Sequence, residues 1–236
     1  MIDIFKKFRM YGFRKSIKYS FDELMRFFYY GLILNSYSQH QEDLIIDKLL
    51  WFPDNGFYVD VWAYEPNRLS NTKRFYEKWR NGINIEPNPT KVIQFSNLRK
   101  RDINLSVGVS TELGILQYYD FFPSTLWTFS EKDKDMYVEK WFQLINTLEV
   151  SVKKLSQILE EYSNGKIDFM SVDVEWYDLE VLKSNDRVLY RPRVVCIEIL
   201  TADETGRQDN RIVDYMLDQW YEIAYHNWLN VFFRDL

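Results

Sequence analysis

Short unbroken apolar runs alternate along this chain with stretches in which apolar residues recur every three or four positions, and Gly, Asn, Asp and Pro mark the joins. The clearest case is residues 56–89, GFYVDVWAYEPNRLSNTKRFYEKWRNGINIEPNP. Gly56 opens the run Phe57 to Val61, which carries Asp60 and breaks at the turn-like AYEPN. Ser70 and Asn71 offer an N-cap to a helical stretch around Thr72 to Lys78, and a second apolar run, Ile83 to Ile85, ends at Glu86. Strand, turn, helix and strand in this order predict one βαβ half of a nucleotide-binding sheet. An acid stands at the carboxyl end of each strand, where ligands of such sheets sit.

The pattern extends in both directions. SYSQHQEDLIIDKLL predicts a helix capped by Ser36 or Ser38 that buries Leu44, Ile45 and Leu49. NPTKVIQFSNLRKRD predicts an amphipathic helix, and LSVGVS, residues 105–110, a third strand with Ser106 and Val107 at its end. Ile115 to Tyr119 reads as a fourth strand-like run before an aromatic, turn-rich loop suited to an acceptor pocket, and residues 131–142 as a surface helix or lid. Val152, Leu155, Ile158, Leu159 and Tyr162 mark a helix; Ile167 to Val172 is a strand running into Asp173-Val174-Glu175, and Asp178 to Ser184 begins another helix. RPRVVCIEIL predicts a strand ending at Glu198, NRIVDYMLDQ a helix, and YEIAYHN with LNVFFRD a terminal hairpin with His226 at its turn. The fold class is α/β: a mostly parallel Rossmann-like sheet, helices on both faces, and an antiparallel C-terminal hairpin. Residues 1–35 are expected to be a helical extension, and 36–236 the main domain.

The first turn carries neither a G-x-G-x-x-G fingerprint nor a basic residue before Arg68, which argues against a pyrophosphate and makes a nicotinamide enzyme a remote rival. An acid at Asp60 suits a cation instead. An acid at Glu86 suits a ribose diol, since a carboxylate accepts both hydroxyl protons. S-adenosylmethionine presents both features, with a sulfonium, an ammonium and a ribose free of phosphate. Asp173 and Glu175 alternate along an extended chain, so their carboxylates share a face at the end of the strand expected beside the first. They can orient and deprotonate a hydroxyl acceptor, Asp173 being the first choice of base and Glu175 the second. A divalent metal there would need at least three well-placed oxygen ligands, which the sequence does not prove. Glu198 stands at the end of the next strand as a further acid of the rim.

YSQHQEDLII, GFYVDVWAYEPN, GINIEPNP, LSVGVS and IDFMSVDVEWYDLEVLKSND together resemble the FkbM-type S-adenosylmethionine-dependent methyltransferases, from about Tyr37 to the C-terminus. The resemblance implies a cofactor site of Gln39, Glu42, Asp60, Trp62, Ala63, Glu86, Pro87, Ser106, Val107 and Asp173. Gln39, Glu42 and Asp43 would lie near the methionine end and Ser106 and Val107 near the adenine. It implies O-methylation of a sugar or another small hydroxylated acceptor. Glu42 and Asp43 also suit a helix first turn on electrostatic grounds alone.

Where the family pattern has glycine, in D-V-G-A and D-V-E-G-Y, this chain has Trp62 and Trp176. Trp51, Trp79 and Trp220 follow helical runs where a left-handed C-cap is wanted, and Trp228 sits at the hairpin turn. Trp127 and Trp141 are weaker cases. The chain has eight glycines in 236 residues, about half the ordinary usage near 7%, and its eight tryptophans would supply the other half. The sequence therefore reads as the product of a gene whose UGA codons specify glycine and have been rendered as tryptophan. Ordinary UGG codons at 62, 176 and 228 would end that idea. Its rival is a divergent, catalytically inactive binding module in which an indole fills the space the cofactor needs.

A chain of this length with 46% hydrophobic residues can bury one full α/β core. Net charge −5 and a pI near 5.3 give no electrostatic footprint for nucleic acid. The single cysteine, Cys196, lies in the apolar run VVCIEI and reads as a buried strand residue, in keeping with a reducing cytoplasm. Residues 1–20 carry six Lys or Arg against Asp3, interleaved with aromatic residues, and form a candidate peripheral membrane-surface contact.

Overall fold

A computed structural model describes residues 35–50, 56–78, 80–122, 126–174, 177–199, 211–227 and 229–236. The elements run α1 Glu42–Leu50, β1 Phe57–Val61, α2 Lys73–Glu77, β2 Asn81–Ile85, α3 Pro89–Leu98 and β3 Ile103–Leu105. Then follow β4 Gly108–Val109, β5 Gly114–Phe122, β6 Trp127–Thr128, α4 Glu131–Glu139 and β7 Gln143–Lys153. The chain closes with α5 Leu155–Tyr162, β8 Phe169–Val172, α6 Asp178–Lys183, β9 Val194–Glu198, α7 Arg211–Asp218, β10 Tyr221–His226 and β11 Asn230–Asp235. Seven strands form the main sheet in the order β10-β11-β9-β8-β1-β2-β3. β3, β2, β1, β8 and β9 are mutually parallel; β11 is antiparallel to β9 and to β10.

Each face of the sheet has its own core. On one, Ile46 and Leu50 of α1 and Phe75 of α2 pack with Tyr58, Phe169, Cys196 and Phe232. On the other, Leu155, Ile158 and Leu159 of α5 and Met216 of α7 cover Val59, Ile83, Met170 and Val195. Consecutive strand residues thus point to opposite cores, which is why these strands read as unbroken apolar runs. Gly82 is a residue of close approach: a Cβ there would lie 2.2 Å from the Tyr58 carbonyl oxygen. Asn88 caps α3, its side chain accepting from the Thr90 amide at 3.0 Å, with Pro89 as first helical residue.

The structure corrects three sequence expectations. LSVGVS is not one strand: β3 ends at Leu105, and Gly108–Val109 pairs instead with β7 in a second sheet of order β4-β7-β5-β6. The run at Ile115 belongs to that sheet, pairing antiparallel with β7, which was not anticipated. On α1 the buried apolar residues are Ile46 and Leu50, which pack on the sheet with Tyr58, Phe169 and Phe232, while Leu44, Ile45 and Leu49 are only partly buried. Residues 1–34, including the candidate membrane contact, lie outside the described residues. Among those described, no helix is long and apolar enough to cross a membrane.

Candidate active site

The carboxyl ends of β1, β2, β8 and β9 gather the predicted acids. Val61 pairs with Ile85 on one side and Val172 on the other, and Val172 with Ile197, so Asp60, Glu86, Asp173 and Glu198 fall along one rim. β8 is the neighbour of β1, as the sequence predicts.

Asp60 is buried and accepts a hydrogen bond from the Thr72 hydroxyl at 2.7 Å. Burial lifts its pKa to about 6 against that bond. Asn71 donates to Ser171 Oγ at 2.8 Å, and Ser70 Oγ accepts from the Lys73 amide at 3.2 Å, so the β1–α2 loop is fastened across the strand ends. Glu86 is also buried; Oε1 accepts from the Asn88 amide at 2.9 Å and Oε2 from the Tyr64 amide at 3.1 Å. Burial raises its pKa to about 7, with nearby Lys91 opposing. Each of its oxygens keeps a second lone pair for a ribose hydroxyl.

Asp173 and Glu198 stand side by side, each partly accessible to solvent, and their carboxyls hydrogen-bond. Dense surroundings, the Glu198 charge and Asp178 push the Asp173 carboxyl well above the usual range. Asp178 is buried at the start of α6, accepts from the Val174 amide at 2.9 Å, and is raised to about 6 by burial. Glu175 and Trp176 lie outside the described residues; among the described residues, Glu198 is the carboxylate hydrogen-bonded to Asp173.

The remaining predicted residues divide. Ala63 is buried, its amide donating to the Ile85 carbonyl at 3.1 Å. Pro87 is buried beside Glu86, and its carbonyl accepts from exposed Ser106 at 3.5 Å, while Val107 is half-buried at the end of β3. Gln39 is exposed. Glu42 accepts from the His40 amide at 2.7 Å and from Asn230 Nδ2 at 2.8 Å, joining α1 to β11. Asp43 accepts from Ser36, Ser38 and the Tyr37 amide, fixing the chain ahead of α1. These two acids thus have structural partners. His226 is exposed at the end of the outermost strand, with β11 and β9 between it and β8. Among the described residues no cluster of three or more His, Cys, Asp or Glu is arranged to hold a metal.

Sequence reasoning missed two groups. The first is the buried Arg99, whose Nε donates to the Pro66 carbonyl at 2.8 Å and Nη2 to Ser70 Oγ at 2.9 Å; Nη1 lies 3.6 Å from Asp102. Asp102 also accepts from Tyr58 Oη at 2.7 Å and Asn84 Nδ2 at 2.9 Å. This network anchors the β1–α2 loop from beneath. The second group is Tyr118 and Asp120, two apart on β5 and therefore on one face of the inserted sheet. Both are buried, and Tyr118 Oη and Asp120 Oδ1 have no hydrogen-bond partner.

Raised carboxyl pKa values have a consequence for stability. Asp60, Glu86 and Asp178 hold protons in the folded state that the unfolded chain has released, so their favourable contribution is complete below about pH 4. It is lost as pH rises through about 6 to 7. The thermal midpoint of the ligand-free protein is expected to fall between pH 5 and about 7.5, by a smaller amount in Glu86→Gln, as scanning fluorimetry across pH checks. Equal slopes in the two proteins would remove Glu86 from the account.

A parallel sheet with this strand order, a reversed terminal hairpin and acids at the strand ends is the architecture of Rossmann-like methyltransferases. The chain belongs to the FkbM methyltransferase family: the model for the methyltransferase FkbM domain matches residues 60–223. Among solved structures, it is similar to Burkholderia thailandensis 1,6-didemethyltoxoflavin-N1-methyltransferase with bound 1,6-didemethyltoxoflavin and S-adenosylhomocysteine. There the identity is 9%, the coverage 83% of this chain and 77% of that one, and the TM-score 0.46. A fibrillarin/Nop5p complex is similar at 8% identity, covering 77% and 72%, with a TM-score of 0.42. Neither assigns a role to any residue. No curated protein matches the chain.

Proposed function

We propose that this methyltransferase uses S-adenosylmethionine to methylate a hydroxyl of a small molecule or glycan. The observation that carries the reading is the rim itself, four acids at the ends of four adjacent parallel strands. Such a rim suits a cationic ligand with a free ribose diol far better than a phosphate. Asp60 and Glu86 are the residues that would hold the cofactor, Glu86 at the ribose. Bound there, S-adenosylmethionine supplies an electrophilic methyl group on a sulfonium.

Asp173 then has the proton to manage. Methylation of the acceptor oxygen would break its O–H bond as the methyl leaves the sulfonium, and the Asp173 carboxylate is the group placed to take that proton. Glu198 is hydrogen-bonded to Asp173, and desolvation together with the Glu198 charge holds the Asp173 carboxyl above the usual range, which favours its taking up a proton. Their partial exposure leaves an approach for the acceptor.

The test is transfer of a labelled methyl group from S-adenosylmethionine to a panel of sugars, polyols, phenols, amines and thiols, using the chain as written and its Trp62→Gly variant. Label in an ether product supports the reading; label only on nitrogen or sulfur acceptors, or none with either protein, contradicts it. A non-catalytic binding module is the second reading, and one observation favours it: the side chain of Trp62 is buried at the end of β1, beside the cofactor residues.

A further inference from the structure

The inserted sheet, ordered β4-β7-β5-β6, has an edge that its own strands leave uncovered. On one side of β7, β5 pairs with every part of it from Gln143 to Val152. On the other side, β4 pairs only with Val152 and Lys153. Residues 143–151 therefore form an open edge among the described residues, and all of them but Leu148 and Val150 are exposed. The helix α4 closes just ahead of this edge, at Trp141, whose amide donates to the Val138 carbonyl.

The backbone shows which groups face that edge. The Lys153 carbonyl accepts from the Ser110 amide at 3.1 Å and so points toward β4. Backbone groups of successive strand residues point to alternate sides, which turns those of Thr147, Glu149 and Ser151 to the open edge and those of Asn146, Leu148 and Val150 to β5. A row of this kind is a template for another strand, and soluble proteins blunt it with lysine, proline or a covering segment. None of residues 143–151 is Lys, Arg or Pro. Their one charge, Glu149, leans the other way, accepting from Gln117 of β5 at 3.3 Å. Leu144 and Ile145 are exposed although apolar. A bulge at Ile145, between the partners of Asp120 and Phe121, is the one irregularity of the stretch.

We infer that this edge joins two copies of the chain, β7 pairing antiparallel with the β7 of a second copy about a two-fold axis at Thr147. The open stretch itself selects a second copy as the occupant. Thr147 lies at its midpoint, so the stretch pairs with itself along its whole length and stops where β4 begins. Thr147 also faces outward, so it can exchange both of its backbone hydrogen bonds with its counterpart. In this register Leu144 meets Val150, Ile145 meets Glu149 and Gln143 meets Ser151, and the two Thr147 side chains stand opposite each other, a favourable cross-strand pair. An axis at Glu149 would set like charges face to face and run the second copy's strand over β4. The sheet then continues through the axis in the order β6-β5-β7-β7-β5-β6.

The experiment is sedimentation of the full chain at micromolar concentrations, where the mass of two chains is expected. Thr147→Lys sets two ammonium groups against each other at the axis, and Thr147→Pro removes an outward N–H without costing a bond to β5. Each is expected to give the mass of one chain with an unchanged circular dichroism spectrum. Under oxidation, Thr147→Cys is expected to form a disulfide-linked dimer and Ser151→Cys none, because in this register the two 151 positions lie about 27 Å apart. A dimer that survives both Thr147→Lys and Thr147→Pro, or that Ser151→Cys links in preference to Thr147→Cys, overturns the inference. So does a monomeric parent, including one whose Thr147 and Glu149 amides resist hydrogen exchange, since the edge would then be covered from within the chain.

Discussion

Asp173→Asn, placed in the Trp62→Gly protein, is expected to lower methyl transfer by about 10²- to 10⁴-fold, the range a positioned general base contributes. Affinity for S-adenosylhomocysteine is expected to stay within about twofold, since an amide keeps the shape of the site and removes only its ability to take a proton. The pH profile should change as well. In the parent the Asp173 carboxyl is held above the usual range beside Glu198, so activity rises with pH as Asp173 ionises to the base form. In the variant that dependence should disappear with the base. Asp173→Asn should also melt higher, because it removes a crowded carboxyl whose ionisation is opposed by Glu198, Asp178 and Asp60. An inactive, more stable protein is the signature; unchanged turnover would take the base away from Asp173.

The largest expected loss of stability follows from Arg99→Met, about 3–5 kcal/mol by urea denaturation, the cost of leaving a buried charge without its partner. Met fills much of the volume, so the loss is not chiefly one of packing. Asp102 would retain Tyr58, Asn84 and the Gly82 amide at 3.1 Å, donors that do not replace a cation 3.6 Å away. The Pro66 carbonyl and Ser70 would lose their donor, loosening the loop that carries Thr72 to Asp60. Adding Asp102→Asn should recover part of the loss, as both charges are then gone. A cost below about 1 kcal/mol would show that the pair is not an anchor.

The sequence made the sheet legible because burial on both faces leaves strands as unbroken apolar runs ending in charge. Asp60, Glu86, Asp173 and Glu198 are the charges on which those runs end. β7 was hidden for the opposite reason: QLINTLEVSVK is mostly exposed, and its apolar end runs into the spacing of α5, so Val152 looked helical. Arg99 and Asp102 were hidden in RKRD, a charge run that reads as a solvated helix end while two of its members are buried. Trp141 gave no helix-end signal because α4, EKDKDMYVE, is too polar to show where its period stops. The strand-like run Ile115 to Tyr119 includes Tyr118 but stops short of Asp120, and only the pairing of β5 with β7 places the two together on one face.

Holding S-adenosylmethionine is the central role proposed for the strand-end acids. The most direct measurement is equilibrium binding of S-adenosylmethionine to Trp62→Gly and to the same protein carrying Glu86→Gln. One cofactor per chain, bound about 10- to 100-fold more weakly once Glu86 can no longer accept at both oxygens, is the predicted result. Equal binding by the two proteins, or none by a folded Trp62→Gly protein, would contradict it.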